Sequence, residues 1–446
     1  MRAVAFIKRA WREPSVVLSA FADEPWACAF LSGGGSERAR WSYVLRAPDQ
    51  VLAAGDEPFE ALARLIGERL PSHPDGPPLQ GGVAGLACYE LGDRVEPLGL
   101  KRHPDWPDLA AARYPALLAF DHERREVLAV GRGADEAEAR SRAEAAAGWL
   151  DEPERAPLSG RLADSFEAST SADHYEAAVA EVVERIAAGE IFQANIARRW
   201  TGRLVEGASP FDLLARLVGA SPAPFAAYLS LPDRAVVSNS PERFVSIGAG
   251  DELIVETRPI KGTRPRGATP AQDAALAREL TESAKDRAEN LMIVDLMRND
   301  LSRVCPAGAV AAPELFRVES FPNVHHLVST VTGRLAPGMT AVDLLQAAFP
   351  PGSITGAPKV QAMKVISQLE PPRGPYCGSL FWAGVDGAFD SSVLIRTVGF
   401  VRDEAGWRFE APAGAGIVAD SDPALEREET EAKIAALRRA LTESAA

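Results

Sequence analysis

Between residues 225 and 258 four short apolar runs follow one another, FAAYLSL, AVVSNS, ERFVSIG and ELIVETR, separated by Pro, Asp or Gly. Runs of this length, rich in branched and aromatic side chains and bounded by turn formers, predict consecutive strands of an antiparallel meander. Later segments extend the pattern: HLVSTVTGRL, GSLFWAGV, SVLIRTVGFV and WRFEAPAGAGIV read as further strands. A long helical stretch is predicted from about Pro270 to Leu301, and a closing helix from about Pro423 to Leu441. Strands interrupted by long helices, with hairpins in place of regular strand–helix–strand alternation, predict an α+β layered protein.

Residues 151 to 172, DEPERAPLSGRLADSFEASTSA, carry Pro, Ser and charge without apolar periodicity and read as a linker or surface crossing between two halves. In the first half, 40 to 55 read as strand, turn, strand, 58 to 70 as an amphipathic helix, and 80 to 98 as a Gly-rich buried strand entering a loop. SGGGSE at 32 to 37 lacks the Lys-Ser/Thr of a phosphate loop and reads as a surface turn. Past the linker, Asp173 and Glu176 have capping-box spacing, Tyr175, Val179, Val182 and Ile186 share one helical face, and Gly189 ends that helix.

With 446 residues, 46% of them hydrophobic, the chain can bury a large core. Its formal net charge is −14 and it has no Lys/Arg run, which excludes a polyanion-binding surface and hence nucleic acid as the expected partner. The basic N-terminus has only a short apolar stretch, so neither a secretory signal nor a membrane span is expected. Cys28, Cys88, Cys305 and Cys377 lie far apart without CxxC spacing, which indicates neither a disulfide framework nor structural zinc and fits a reducing cytoplasm.

The chemistry-bearing residues fall into two kinds. Glu282, Asp286 and Glu289 are spaced to share one helical face that could bind a cation; Glu426 and Glu429 lie one turn apart, with Lys433 four residues further. Spacing alone fits a solvated helix flank as well, because Glu followed by Lys at i+4 is an ordinary stabilising pair. The basic and polar candidates are Lys261 in TRPIKGTRPRG, Lys359 in PPGSITGAPK, His326 in HHLVST and Arg396 in VLIRT. His325 and His326 face opposite sides of a strand, so at most one enters any site. PPGSITGAPK and APAGAGIV place small residues where backbone N–H groups can approach an anion. GxSxG, HExxH and GxxxxGK[ST] are absent, so serine hydrolase, zincin and P-loop readings have no footing.

Nine blocks in one order, GEIFQAN, SNSPERF, TRPIKGTRPRG, KDRAENLMIVDLMRNDL, HHLVSTVTG, PPGSITGAPK, RGPYCGSLFW, VLIRT and AGAGIVADSDPALEREETEAK, resemble the chorismate-utilising family. That family includes the component I subunits of anthranilate synthase and aminodeoxychorismate synthase, and the isochorismate and salicylate synthases. The resemblance implies a large α+β sandwich of two antiparallel sheets with helices outside. It also implies an N-terminal region (1–150) interlocked with a chorismate-binding catalytic region (173–446), and an N-terminal half, around RWSYVLRAP, that can hold a tryptophan pocket.

By the same resemblance Glu289 and Glu429 ligate one Mg²⁺, with Asp286 and Glu426 in or near its water shell. Arg396, Tyr376, Gly414 and Gly416 would take the enolpyruvyl carboxylate; Thr355, Gly356 and Lys359 would line the same cavity, and His326 would face the ring. Gly262, Thr263, Gln193 and Lys433 complete the implied substrate-binding set. Gln193 stands where family members that add water carry a lysine base, and PIKGT replaces the PIAGT of anthranilate synthases. Both point to amination of chorismate at C4, with Lys261 as covalent nucleophile, Glu242 as general acid, and ammonia from a separate glutaminase subunit. The rival readings are an anthranilate synthase component I and a non-catalytic chorismate-binding regulatory subunit.

Overall fold

The computed structural model describes residues 2–33, 39–52, 55–250, 252–321 and 324–444. Among these, strands form a twelve-stranded and a ten-stranded sheet, every pairing antiparallel. The larger sheet runs from Ala3–Ala10 through Cys28–Leu31, Phe225–Leu231, Arg234–Ser240, Thr397–Asp403 and Gly406–Ile417 to Gln193–Arg203. The smaller runs from Ile260–Pro265 through Val324–Arg334, Arg243–Ile247, Phe389–Val393 and Ser379–Gly384 to Gly82–Ala87 and Leu109–Tyr114. Each sheet therefore takes strands from both sides of residues 151–172.

The sheets pack face to face. Tyr43, Leu117 and Leu229 of one meet Ala84, Leu380 and Trp382 of the other in a single buried cluster, with the Tyr43 and Trp382 rings edge-on at 5.9 Å. Their outer faces are covered by helices: Leu213, Leu214 and Ile434 pack on the larger sheet, and Ile293, Val294 and Leu345 on the smaller. The result is the α+β layered protein expected from the strand and helix pattern, in the two-sheet sandwich form that the family resemblance implies. All four cysteines are free and buried, and no described helix is long and apolar enough to cross a membrane.

Two expected continuous elements are divided, and both divisions build the site. The four runs from 225 to 258 do not form one meander: Arg234–Ser240 pairs in the larger sheet and Arg243–Ile247 in the smaller, so the chain changes sheets at Pro241 and Glu242. SVLIRTVGFV is likewise two strands, Phe389–Val393 and Thr397–Asp403, which change sheets through Leu394, Ile395 and Arg396, the last at φ 53°. The crossings run side by side. Val393 N–H donates to the Glu242 carbonyl at 3.0 Å, Ser240 Oγ donates to the Val393 carbonyl at 2.6 Å, and the hydroxyls of Ser238 and Thr397 meet at 2.8 Å.

The stretch from Pro270 to Leu301 is two helices, Pro270–Glu282 and Ala284–Ser302. Ser283 takes φ −62° and ψ 108° and its Oγ accepts the Asp286 N–H at 3.2 Å, so S-A-K-D starts a new helix and leaves Glu282 off the face of Asp286 and Glu289. The helix past the linker is Ala172–Ala187, capped by Ser171 accepting from His174 N–H, two residues before the expected Asp173; Glu176 pairs instead with Arg427 at 2.7 Å. Gly189 follows this helix at φ +78°, as a terminating glycine should. Of the SGGGSE turn, residues 34–37 lie outside the described residues.

Candidate active site

Two neighbouring strands, Gln193–Arg203 and Gly406–Ile417, form the floor. Asn195 stands opposite Gly416 and Ala197 opposite Gly414. A Cβ on Gly416 would lie 2.3 Å from Gln193 Nε2 and 3.3 Å from Lys261 Nζ; one on Gly414 would lie 2.6 Å from Asn195 Oδ1 and 2.9 Å from the Tyr376 hydroxyl. At Gly414 the Ile196 carbonyl, 2.9 Å from that Cβ, leaves room only for glycine, whereas at Gly416 a side chain would displace the Gln193 amide from the site. The strand pairing thus brings Gln193, Lys261, Tyr376, Gly414 and Gly416 together, and adds Asn195, which the sequence reading missed. The signal was available: Gln193 and Asn195 are two apart on one strand and share a face.

The wall comes from the closing helix Pro423–Thr442 and from the second sheet crossing. Lys433 Nζ donates to the Gly414 carbonyl at 2.9 Å and pairs with Glu429 at 2.5 Å, while Arg396 donates to the Lys433 carbonyl at 2.8 Å. Burial lowers the pKa of the Arg396 guanidinium, against the pull of Tyr376 and Glu429. Facing Arg396, His326 shares a hydrogen bond with Thr263 Oγ1 at 2.9 Å; burial and the Arg396 charge hold its pKa down at about 4, so the imidazole is neutral at physiological pH.

Glu242, placed by the first crossing, is 5% exposed. Burial raises its carboxyl to a pKa of about 7, opposed by a 2.6 Å hydrogen bond from Ser353 Oγ and by the charge of Lys261. Lys261 is only partly exposed, and its pKa is lowered by burial first and by Lys433 among its charged neighbours, with Glu289, Glu242 and Glu429 pulling the other way. An acid that keeps its proton near neutrality therefore shares a site with an amine that releases its proton more readily.

Glu289 and Glu426 both have raised pKa values. Burial is the main cause, joined by repulsion from Asp286 and Asp420 for Glu289 and from Glu429 for Glu426. Among the described residues no three His, Cys, Asp or Glu side chains converge as a metal cage. Repelling, partly buried carboxylates in pairs are nevertheless what Mg²⁺ uses, since it takes one or two carboxylates and completes its shell with water and substrate oxygens. Asp286 is differently placed: Arg264 pairs with it at 3.1 Å, and it lies against Gly262, whose φ of +83° and 2.9 Å clearance to the carboxyl leave no room for a side chain.

Thr355 and Gly356 act mainly through backbone. The Thr355 carbonyl accepts the Asn195 N–H at 2.9 Å, and Gly356, at φ +142°, lies so close to the Gln193 carbonyl that a Cβ would be 2.2 Å from it. Lys359 is engaged elsewhere, donating to Asp300 at 2.6 Å and to the Ala348 carbonyl at 2.5 Å, so its charge is neutralised behind the loop. Arg373, also missed, is a buried hub: it donates to the Asn195 carbonyl at 2.7 Å and to Glu370 at 2.9 Å, and its guanidinium carbon lies 4.7 Å from the centre of the Tyr89 ring. A separate cavity of about 1250 Å³ is lined by Phe30, Trp41, Tyr43, Pro224, Arg243 and Trp382, where the resemblance puts a tryptophan pocket; it contains neither Lys261 nor Glu242.

This fold is shared. The sequence profile described as chorismate binding enzyme matches residues 27–439, and the chain belongs to that family of chorismate-utilising enzymes. Among individual relatives, it is 39% identical to aminodeoxychorismate synthase component 1 of Klebsiella aerogenes, over 97% of this chain and 98% of that protein. It is 40% identical to anthranilate synthase component 1 of Streptomyces coelicolor, over 92% of this chain and 82% of that one. The crystal structure of anthranilate synthase component I from Streptococcus pneumoniae superposes with a TM-score of 0.78 at 28% identity, covering 90% and 94% of the two chains.

Proposed function

We propose that the chain aminates chorismate at C4 to give 4-amino-4-deoxychorismate, on the route to para-aminobenzoate and folate. The observation that carries the reading is Lys261 Nζ at the floor glycine Gly416, its pKa depressed, in the same field as the protonated Glu242. In the proposed reaction the neutral Lys261 amine forms a bond to C2, the ring double bonds shift, and the C4–O bond breaks as Glu242 gives its proton to the departing oxygen, releasing water. Ammonia then bonds to C4, the double bonds shift back, and the C2–N bond breaks with its pair returning to Lys261. The new C4 ammonium returns one proton to Glu242, so chorismate and ammonia become the amine and water with both side chains restored.

Glu289 and Glu429 are the proposed Mg²⁺ holders, with Glu426 at one turn's distance and Asp286 kept outside by its pairing with Arg264. When bound, the ion neutralises the ring carboxylate of the substrate. Arg396, Tyr376 and the backbone of Gly414 and Gly416 bind the enolpyruvyl carboxylate, and Lys433 holds that wall through the Gly414 carbonyl. Ammonia comes from a glutaminase subunit in a reducing cytoplasm, a reading supported by the designation component 1 in the relatives. Chorismate and Mg²⁺ without ammonia should leave a mass adduct that peptide mapping assigns to Lys261. An adduct on another residue, or none under trapping conditions, refutes the covalent route.

A further inference from the structure

Resting on the amination reading, we propose that the side-chain amides of Gln193 and Asn195 form the ammonia subsite, receiving its N–H donors and leaving its lone pair free to face the ring. Both residues are almost wholly buried, at 2% and 8% exposure, yet Gln193 Oε1 and Asn195 Oδ1 accept no hydrogen bond from any described residue. A buried acceptor without a donor is costly, and two on one strand face mark a place built for a ligand that donates.

Their position supports ammonia over the rest of the substrate. Gln193 Nε2 and Lys261 Nζ both lie within 3.3 Å of the point a Gly416 Cβ would occupy, so the amide borders the space in which the lysine works. Asn195 Oδ1 borders the next glycine along, beside the Tyr376 hydroxyl. The substrate's carboxylates and enol ether only accept hydrogen bonds, and its one donor, the C4 hydroxyl, is assigned to Glu242, so neither satisfies these oxygens, whereas ammonia offers three donors. A neutral amide is also the right acceptor chemically. A carboxylate there would favour ammonium, which has no lone pair, and a lysine would serve as a base for water.

The Asn195 backbone is fixed from three directions, which preorganises the pair. Its N–H donates to the Thr355 carbonyl at 2.9 Å, its carbonyl accepts from Arg373 at 2.7 Å, and the residue is held in register opposite Gly416.

The test uses the full-length chain with an ammonium salt as nitrogen source at fixed pH, and the volume-conserving variants Gln193→Met and Asn195→Leu. We expect KM for ammonium to rise tenfold or more in each, and at least fivefold more than KM for chorismate. Formation of the Lys261 adduct, which needs no ammonia, should lose at least fivefold less than turnover at limiting ammonium. An unchanged ammonium KM, or ammonium KM and adduct rate worsening together, overturns the subsite. Should either variant fail to fold, Asn195→Asp replaces it: the added carboxylate should lower the ammonium KM yet cut kcat more than tenfold, and an unaltered kcat overturns the proposal. A parent enzyme that forms no aminated product refutes the amination reading itself, a result independent of these ratios.

Discussion

Replacing Glu242 with Gln isolates the strain that the site imposes on the protein. The carboxyl is raised from 4.5 to about 7, chiefly by burial. In the unfolded chain it ionises near 4.5, so between these values the folded state holds a proton that the unfolded state has lost, and stability falls as pH rises. At 1.36 kcal/mol per unit, the loss is roughly 3 kcal/mol, complete above pH 7 and absent below about 4.5. Gln keeps the shape and can still accept from Ser353 Oγ, but does not titrate. Glu289 and Glu426 are raised in the same sense and remain in both proteins, so their contribution cancels in the difference between the two. Urea unfolding of both at pH 5, 6, 7 and 8 is the assay. The variant should gain on the parent by roughly 3 kcal/mol across that range, while its kcat falls ~10²–10⁴-fold for want of an acid. Parallel pH profiles of stability would show that Glu242 carries no raised pKa and would remove it as the acid.

The other predictions follow from the same geometry. Lys261→Ala should abolish amination while chorismate still binds; near-normal turnover would remove the lysine from the chemistry. Glu289→Gln should raise the Mg²⁺ requirement at least tenfold, read by titrating activity against the metal, and an unaltered Mg²⁺ curve rejects the ligand assignment. The pH profile of kcat/KM should fall on the alkaline side near 7 as Glu242 loses its proton, and Glu242→Gln should erase that limb; its persistence in the variant assigns it to another group. Gly416→Ala should extinguish activity with little loss of fold, because its methyl enters the space of the Gln193 amide and Lys261; normal activity would show that the floor does not need a glycine.

How much of this was legible depends on the range of the interaction. The strand runs named from the sequence, SVLIRTVGFV apart, and the closing helix follow from local patterns and are found, whereas the strands Ala3–Ala10, Leu109–Tyr114, Ala116–Asp121 and Glu126–Gly133 were not named. Sheet membership was not legible, because consecutive runs suggest one meander and VLIRT looks continuous along the chain, while the changes of sheet are set by distant pairings such as Arg243 with Ser392 and Arg234 with Val401. Those two changes of sheet carry Glu242 and Arg396, so the site sits where the local pattern misled. The helix break at Ser283 was readable, since S-A-K-D has a start signature, but apolar spacing on both sides masked it. Asn195 could have been found from its two-residue spacing to Gln193. Arg373 could not, as its role depends on Glu370, Asn195 and Tyr89 converging from three separate elements.

The central claim is the choice of product. Incubating the purified chain with chorismate, Mg²⁺ and an ammonium salt, and resolving the products by mass, tests it directly. Amination through Lys261 predicts 4-amino-4-deoxychorismate, which keeps its enolpyruvyl group; anthranilate with an equivalent of pyruvate would contradict it.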